Sequence, residues 1–288
     1  MALVREGFPD SEIEVMGYQR VLPLVEGRPY ADKTCGIDYA PMAACFNPAA
    51  RMEPGLEDYF RSFGQIISYL YDPDKLFERS LRAVGVKNFL PAVGKLTDDG
   101  PHATEQLAAP LTSLALFLTD PIPRLHFEAR ELEESRPSLP GRVVALHPGS
   151  GSPRKNWPVG QWKALAAWLL AEQLADALVV VGGEADEQVL DEFRRELRGQ
   201  PVKILYGLPL RRLAATLAGC RLMIGHDSGI SHLAAAAGCP VIALFGPTDP
   251  AVWSPRGQRV RVLGGLLKDW AELPLAGVQQ AVREELTT

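Results

Sequence analysis

The second half of the chain alternates short apolar segments with segments of helical periodicity, and this alternation limits the fold more than any other feature. The apolar segments lie at residues 143–147, 178–181, 202–205, 222–224 and 241–245. Strands that are apolar on both faces are typical of a parallel sheet that is covered by helices on both sides. We therefore predict an α/β fold for this half.

A polar motif follows directly after each of four predicted strands. The motifs are HPGSG at 147–151, GGE at 182–184, HDSG at 226–229 and GPTDP at 246–250. In a parallel sheet, ligands bind beyond the carboxyl ends of the strands, which lie at one edge. Each motif alone is a weak signal. Because all four have the same placement, we expect them to line one rim and to form a binding site.

The HDSG motif precedes a helix that is rich in alanine. Asp227 and Ser228 are N-capping residue types, and the glycine that follows lets the backbone approach a ligand closely. A helix N-terminus favours an anion such as a diphosphate. One turn further on, His232 either contacts a phosphate or has a structural role, and the sequence leaves the same choice open for His147 and His226.

The HPGSG loop and the residues after it offer groups that bind phosphate. Gly149 and Gly151 present backbone N–H groups, Ser150 and Ser152 present hydroxyls, and Lys155 adds a positive charge. A lysine in this position suits a phosphate that gains charge as it leaves. The alternative is a surface turn with an exposed lysine.

The GGE motif places Glu184 at a strand end. A carboxylate there either accepts hydrogen bonds from ribose hydroxyls or is an acid at the start of a helix, where the dipole favours it. The surrounding VVVGGEADE does not match GxGxxG, so a dinucleotide fingerprint is not supported.

Composition argues against several classes of protein. The net charge of −5 disfavours a nucleic-acid-binding protein. The four cysteines lack the spacing of a metal site, and we interpret Cys220 and Cys239 as reduced core thiols. No apolar run approaches the length of a membrane span, and the N-terminus lacks the features of a signal peptide. We predict a cytoplasmic location and leave open a peripheral contact with the inner membrane.

The first half is less clearly patterned. Its apolar periodicity predicts helices over 56–70, 74–84 and 102–117, and a proline-rich, charged stretch follows over 120–141. We therefore predict two domains, 1–138 and 139–288.

Together, these motifs resemble glycosyltransferase family 9, the ADP-heptose:lipopolysaccharide heptosyltransferase family. The similarity depends on HPGSG with KNWP, on GGE, and above all on GHDSGISHLAAAAGCPVIALFGPTDP; it is strong over 142–255, while FPDSEIEVMG and HATEQLAAPL match loosely. It implies a GT-B architecture, in which two Rossmann-like domains face a cleft. It also implies inverting, metal-independent transfer of a sugar, such as heptose, from a nucleotide-diphosphate donor such as ADP-heptose to a glycan or lipopolysaccharide-type acceptor, without a cofactor.

The resemblance also implies a role for individual residues. Ser150, Gly151 and Lys155 would contact the phosphates, and Lys155 would stabilise the leaving group. Glu184 would hold the ribose and Leu208 would lie against the adenine. The residues expected around the diphosphate and sugar are Asp227, Ser228, Gly229 and His232.

One feature of the family has no counterpart in the sequence. Members begin with a strand and a glycine-rich loop ending in Gly-Asp, and that aspartate is regarded as the general base. Here Met1 falls where the first helix should already be under way, so we expect an N-terminal domain that is truncated and lacks this base. Asp10, Asp32 and Asp38 are not in a comparable loop. General base catalysis contributes roughly 10²–10⁴-fold.

Two alternatives to a glycosyltransferase therefore stay open. The first is a non-catalytic nucleotide-sugar-binding protein that has lost its base. The second is a sugar-nucleotide epimerase, which shares the two-domain architecture and would isomerise the donor without any acceptor.

Overall fold

A computed structural model describes residues 1–47 and 49–287 of the chain. Its contacts divide the chain into two compact units, Met1–Pro121 and Ile122–Thr288. The boundary predicted after residue 138 therefore lies inside the second unit. Glu131, which precedes that predicted boundary, forms an ion pair of 2.6 Å with Arg211 of the same unit.

The first unit contains two separate pairs of short parallel strands, with helices between them. Strand β1 pairs with β2, and β3 pairs with β4. The strands are β1 (Glu14–Gly17), β2 (Lys33–Gly36), β3 (Ile66–Ser68) and β4 (Phe89–Pro91). The α-helices are α1 (Ala2–Gly7), α2 (Pro54–Arg61), α3 (Leu76–Ala83) and α4 (Ala103–Ala108), and 3₁₀ helices span Leu22–Leu24, Ala40–Phe46 and Ala109–Leu114.

One of the three helices predicted in this unit is confirmed, and two are shorter than predicted. The pattern over 74–84 gives α3, whose Phe77 and Leu81 are buried one turn apart. The helix predicted over 56–70 ends at Arg61, and the β-branched pair that begins at Ile66 forms β3 instead. The helix predicted over 102–117 becomes α4 followed by a 3₁₀ turn near Pro110, whose ring is incompatible with an uninterrupted α-helix.

The second unit is built on one sheet of six parallel strands in the order β10-β9-β8-β5-β6-β7. Its strands are β5 (Val143–His147), β6 (Ala177–Gly182), β7 (Val202–Tyr206), β8 (Leu222–His226), β9 (Val241–Phe245) and β10 (Val260–Gly264). Every residue of β5, β6, β8 and β9 is buried, which explains their unbroken apolar sequences. The predicted α/β fold with a parallel sheet is thus confirmed.

Helices pack on the two faces of this sheet. The helices are α5 (Ala129–Ser135), α6 (Val159–Ala171), α7 (Glu187–Glu196), α8 (Leu210–Ala218), α9 (Gly229–Ala236), α10 (Pro250–Trp253) and α11 (Leu275–Thr287). Alternate strand residues such as Val144 and Leu146 belong to one core with α6, α7 and α11. Helix α9 lies against β8, β9 and α8. Within the described residues, no helix has both the length and the apolarity that a bilayer crossing requires.

The sheet order changes direction at β5. Strand β6 lies on one side of β5, whereas β8, which comes later in the chain, lies on the other. The residue opposite His147 at the end of β5 is Gly225, near the end of β8. A doubly wound sheet opens a crevice at such a point of reversal, because the connections on its two sides run to opposite faces. The loops after β5 and β8 flank this position.

Candidate functional site

The structure brings the four polar motifs together at the carboxyl edge of the sheet. The loops after β5 and β8 are joined by a contact of 3.2 Å between His147 Nδ1 and Ser228 Oγ. Asp186, just after β6, approaches the other nitrogen of His147, and Thr248, just after β9, bonds to Asp227. The geometric expectation that the motifs line one rim is therefore met.

Lys155 is held by a carboxylate of the neighbouring motif. Its Nζ lies 2.6 Å from Asp227 Oδ2, and the Thr248 hydroxyl donates to the same oxygen at 2.9 Å. The Asp227 side chain is only 8% exposed, whereas that of Lys155 is 31% exposed. A nearly buried carboxylate requires such partners. The pair fixes an ammonium group at the rim, where solvent and ligands reach it.

His226 is hydrogen-bonded to three residues of the site, which are Gly149, Trp157 and Trp162. Its Nε2 accepts hydrogen bonds from the backbone N–H of Trp157, at 2.7 Å, and from the indole N–H of Trp162, at 3.3 Å. Two donors on one nitrogen require its lone pair, so the proton resides on Nδ1, which donates to the carbonyl oxygen of Gly149 at 3.1 Å. Burial lowers the pKa of His226 to about 3, so the ring is neutral. Its role is structural.

A second histidine lies next to the first, in a polar chain. His147 is 4% exposed and Asp186 is 8% exposed. His147 Nε2 lies 3.8 Å from Asp186 Oδ2, and the Gly183 N–H donates to that same oxygen at 2.9 Å. Burial opposes ionisation of Asp186, but the adjacent His147 ring and the hydrogen bond from the Gly183 N–H outweigh it and hold the pKa of this carboxyl below its usual value. Asp186 is thus an anion beneath the rim.

The N-terminus of α9 is open to a ligand. Ser228 occupies the N-cap position, but its side chain makes no capping bond, because the hydroxyl is directed at His147. Ser228 thus stands at the N-cap without a side-chain capping bond, and the Asp227 carboxylate bonds to Lys155 and Thr248 instead of the helix.

No atom lies within 4 Å of the point where a side chain would begin on Gly229. Among the described residues the backbone N–H groups of Gly229 and Ile230 have no hydrogen-bond partner, whereas those of Ser231 and His232 bond to the Ser228 carbonyl. Two unpaired N–H groups at a helix start are what an anion site uses.

The other predicted site residues differ in their placement. Ser150 donates its hydroxyl proton to the Ser152 carbonyl at 2.7 Å and so braces its own loop. Gly151 is exposed, with open space around it, and His232 is half-buried on α9. Glu184 is exposed, and within residues 1–47 and 49–287 its carboxylate has no hydrogen-bond or ion-pair partner. Leu208 is half-buried after β7, which lies two strands from β5 in the sheet.

Three contributors to the site were underestimated from the sequence. Asp186 was overlooked beside Glu184, although only Asp186 is buried. The sequence left the roles of His147 and His226 open, although each is the last residue of a buried strand. A polar residue at such a position is enclosed by the loop that follows the strand. The GPTDP motif supplies Thr248 to Asp227, whereas its Asp249 caps α10 through a bond of 2.8 Å to the Ala251 N–H.

Replacing Gly149 by alanine is expected to destabilise the site. A methyl group at this position would lie 1.7 Å from Asp186 Oδ1. Either the carboxylate or the loop must move, and overpacking of this kind costs about 1–3 kcal/mol. Gly151→Ala is the matched control, because its methyl group would meet no atom within 4 Å. Thermal unfolding should show a lower midpoint for Gly149→Ala only; equal midpoints would contradict the packing described here.

Within the described residues, no three histidine, cysteine, aspartate or glutamate side chains are grouped closely enough to hold a metal ion. Cys220 and Cys239 are buried free thiols, as predicted, and burial raises the pKa of both.

Comparison with known proteins identifies relatives of this chain. The model of glycosyltransferase family 9 (heptosyltransferase) matches residues 102–273. Lipooligosaccharide heptosyltransferase 2 of Haemophilus influenzae is 32% identical over 126 residues, which are 42% of this chain and 36% of that protein. The chain spans less than half the length of the first curated relatives it matches.

Two solved structures show the same fold. The ADP-heptose lipopolysaccharide heptosyltransferase II of E. coli superposes with a TM-score of 0.75 at 18% identity, covering 99% of this chain and 92% of that one. The E. coli heptosyltransferase WaaC with ADP gives a TM-score of 0.69 at 18% identity, covering 99% and 93%. The predicted GT-B fold class is confirmed by these likenesses.

Proposed function

Because the chain belongs to glycosyltransferase family 9, the heptosyltransferase family, we propose that it transfers a sugar from a nucleotide-diphosphate donor to a glycan or lipopolysaccharide-type acceptor. The donor is ADP-heptose or a close analogue, the reaction inverts the anomeric centre, and no metal takes part. The reaction belongs to lipopolysaccharide biosynthesis, and we propose a cytoplasmic location with peripheral contact with the inner membrane.

The observation that carries this proposal is the pairing of Lys155 with an open helix N-terminus at one rim. The ammonium group of Lys155 and the first N–H groups of α9 lie on loops that are joined through Asp227 and the His147–Ser228 contact. A lysine charge and a helix dipole directed to one place suit a diphosphate. The ammonium group of Lys155, which Asp227 holds at the rim, suits stabilisation of the charge that develops on the leaving oxygen.

The chemical step follows from this arrangement. The oxygen of the acceptor hydroxyl attacks the anomeric carbon, the bond from that carbon to the diphosphate breaks, and the electron pair leaves with the nucleotide. Lys155 and α9 stabilise the charge that collects on the diphosphate. The hydroxyl proton passes to a base, and we do not assign Asp227 this role, since both Lys155 and Thr248 engage its carboxylate.

The remaining donor contacts are assigned by position. Ser150 and Gly151 belong to the phosphate loop, and Gly229 and His232 belong to the helix that meets the diphosphate and sugar. Glu184 is free to accept from the ribose hydroxyls, and Leu208 offers an apolar surface to the adenine. That WaaC was solved with ADP supports an adenosine nucleotide as the donor's carrier.

An assay of ADP release from ADP-heptose tests the proposed function. Release should require a heptose-deficient lipopolysaccharide acceptor, should continue in the presence of EDTA, and should yield a product whose anomeric configuration is opposite to that of the donor. Isomerisation of the donor without acceptor would instead indicate an epimerase. Binding of ADP-heptose without any turnover would indicate a nucleotide-sugar-binding protein.

Glu184→Gln is expected to weaken ADP binding by roughly tenfold. Hydrogen bonds to a charged group contribute about 1.5–3 kcal/mol, and 1.4 kcal/mol corresponds to tenfold. Glu187→Gln is the matched control, because Glu187 is an exposed acid of the same turn. Calorimetry with 2′,3′-dideoxy-ADP should show no difference between Glu184→Gln and the wild type. An equal loss with the deoxy ligand would place the ribose elsewhere.

A further inference from the structure

Beneath the open end of α9 lies a buried chain of three side chains, Asp186, His147 and Ser228. Asp186 Oδ2 lies 3.8 Å from His147 Nε2, and His147 Nδ1 lies 3.2 Å from Ser228 Oγ. The order of groups is carboxylate, imidazole and hydroxyl, and the hydroxyl stands at the N-cap of the helix. Of the three, only Ser228 is among the residues that the family resemblance places around the diphosphate and sugar.

The titratable and charged groups around His147 are His226, Lys155, Asp227 and Asp186. His226, its neighbour, is fixed as a neutral ring by two donors on Nε2. The nearby Lys155 and Asp227 already neutralise each other. Asp186 is an anion for which no other charged partner exists within the described residues. A proton on His147 would therefore be balanced by Asp186.

The positions of the protons on His147 determine whether the Ser228 hydroxyl can donate a hydrogen bond to a ligand or only accept one. With its proton on Nε2, facing Asp186, His147 accepts the hydroxyl proton at Nδ1, and Ser228 presents lone pairs to a ligand. Those lone pairs repel a phosphate oxygen. With a second proton on Nδ1, His147 donates to Ser228 Oγ instead, and the hydroxyl proton is free to bond to a phosphate oxygen. The change requires one proton from solvent.

We propose that His147, balanced by Asp186, is a positioning residue that gains a proton when a nucleotide diphosphate binds and thereby turns Ser228 into a donor to it. This inference rests on the proposed function, because it places the diphosphate at α9. Binding and protonation are then linked, and affinity falls as pH rises. For one linked proton the slope approaches tenfold per pH unit.

Calorimetry with ADP-glucose tests the linkage. Both phosphates of this probe are esterified, so the ligand itself neither gains nor loses a proton near neutrality. Titrations between pH 6 and 8.5, in buffers of different ionisation enthalpy, measure the affinity and the number of protons taken up. The wild type should bind more weakly as pH rises and should take up a measurable fraction of a proton on binding.

Four variants test the role of His147, and two of them remove other histidines. In His147→Gln the amide can donate to Ser228 at every pH, so the pH dependence and the proton uptake should vanish. His232→Gln removes the other histidine of the donor site, and His126→Gln removes an exposed histidine outside it. Both should keep the slope of the wild type. Ser228→Ala should bind several-fold more weakly and lose the slope.

The outcomes distinguish this inference from the proposed function. A wild-type slope in His147→Gln, or a slope abolished in His232→Gln, would overturn the role of His147 while leaving donor binding intact. Binding without proton uptake in the wild type would do the same. A wild-type protein that bound neither ADP nor ADP-glucose would overturn both proposals.

Discussion

Lys155→Ala is expected to reduce kcat for sugar transfer by about 10²–10³-fold, the effect of removing one preorganised group that stabilises a developing negative charge. The loss in ADP affinity should be smaller than the loss in kcat, because the diphosphate carries more charge after the glycosidic bond breaks. Steady-state kinetics with ADP-heptose and calorimetry with ADP measure the two quantities separately.

Two control variants separate the loss of the Lys155 charge at the diphosphate from a general loss of charge or of stability. Arg154→Ala removes an adjacent, exposed positive charge that has no partner within the described residues, and it should leave kcat within a few-fold of the wild type. Lys155→Ala also leaves the nearly buried Asp227 without its cation. The double variant Lys155→Ala/Asp227→Asn relieves that charge, so its stability should recover while kcat stays low. Recovery of kcat in the double variant would reject Lys155 as the stabilising group.

His226→Ala is expected to lower the free energy of unfolding by about 3–5 kcal/mol, because two buried N–H donors and one carbonyl lose their partner and a cavity remains. Thermal unfolding should show a midpoint lower by roughly 10 °C. His226→Gln carries one acceptor and one donor of similar reach, so it should retain more of the stability than alanine does. Equal losses in the two variants would show that cavity formation, rather than hydrogen bonding, dominates.

The same residue predicts a pH dependence of stability. The pKa of His226 falls from 6.5 in the unfolded chain to about 3 in the fold, because burial disfavours the charged ring. A lowered pKa gives a contribution that is complete above pH 6.5 and is lost as pH falls towards 3, at about 1.4 kcal/mol per pH unit. His226→Gln has no such group and should lose stability less steeply in denaturant titrations between pH 6.5 and 4. An unchanged slope would mean that other groups cause the acid sensitivity.

The sequence predicted the second unit well because its strands leave little choice. Every residue of segment 143–147 is buried, so its apolar sequence identifies a strand without knowledge of which strands pair with it. The polar loop that follows is identified in the same way. The placement of Lys155 and Asp227 at one rim followed from that topology. Their ion pair did not, since which acid meets which cation depends on side chains that are 72 positions apart in the chain.

The first unit was predicted less well for a related physical reason. Its strands are three or four residues long and half-buried, so alternation and helical periodicity compete over the same few residues. The helix predicted across Ile66 failed because the parallel partner of β3, which begins at Phe89, supplies hydrogen bonds that no local pattern reveals. Its 3₁₀ segments start or continue around prolines such as Pro41 and Pro110, where propensity favours no single regular structure.

The hydrogen bonds of His226 constrain the length of the loop that joins β5 to α6. Gly149 and Trp157 are hydrogen-bonded to opposite nitrogens of one imidazole ring. These two bonds fix the distance between the ends of the segment that joins the two residues. An inserted or deleted residue in that segment would break one of the two hydrogen bonds to the imidazole. New specificity at this rim must therefore arise by exchange of outward-facing side chains, with the backbone length held constant. A designer who wishes to retune the loop should randomise Gly151, Ser152 and Arg154 in place and leave its register untouched.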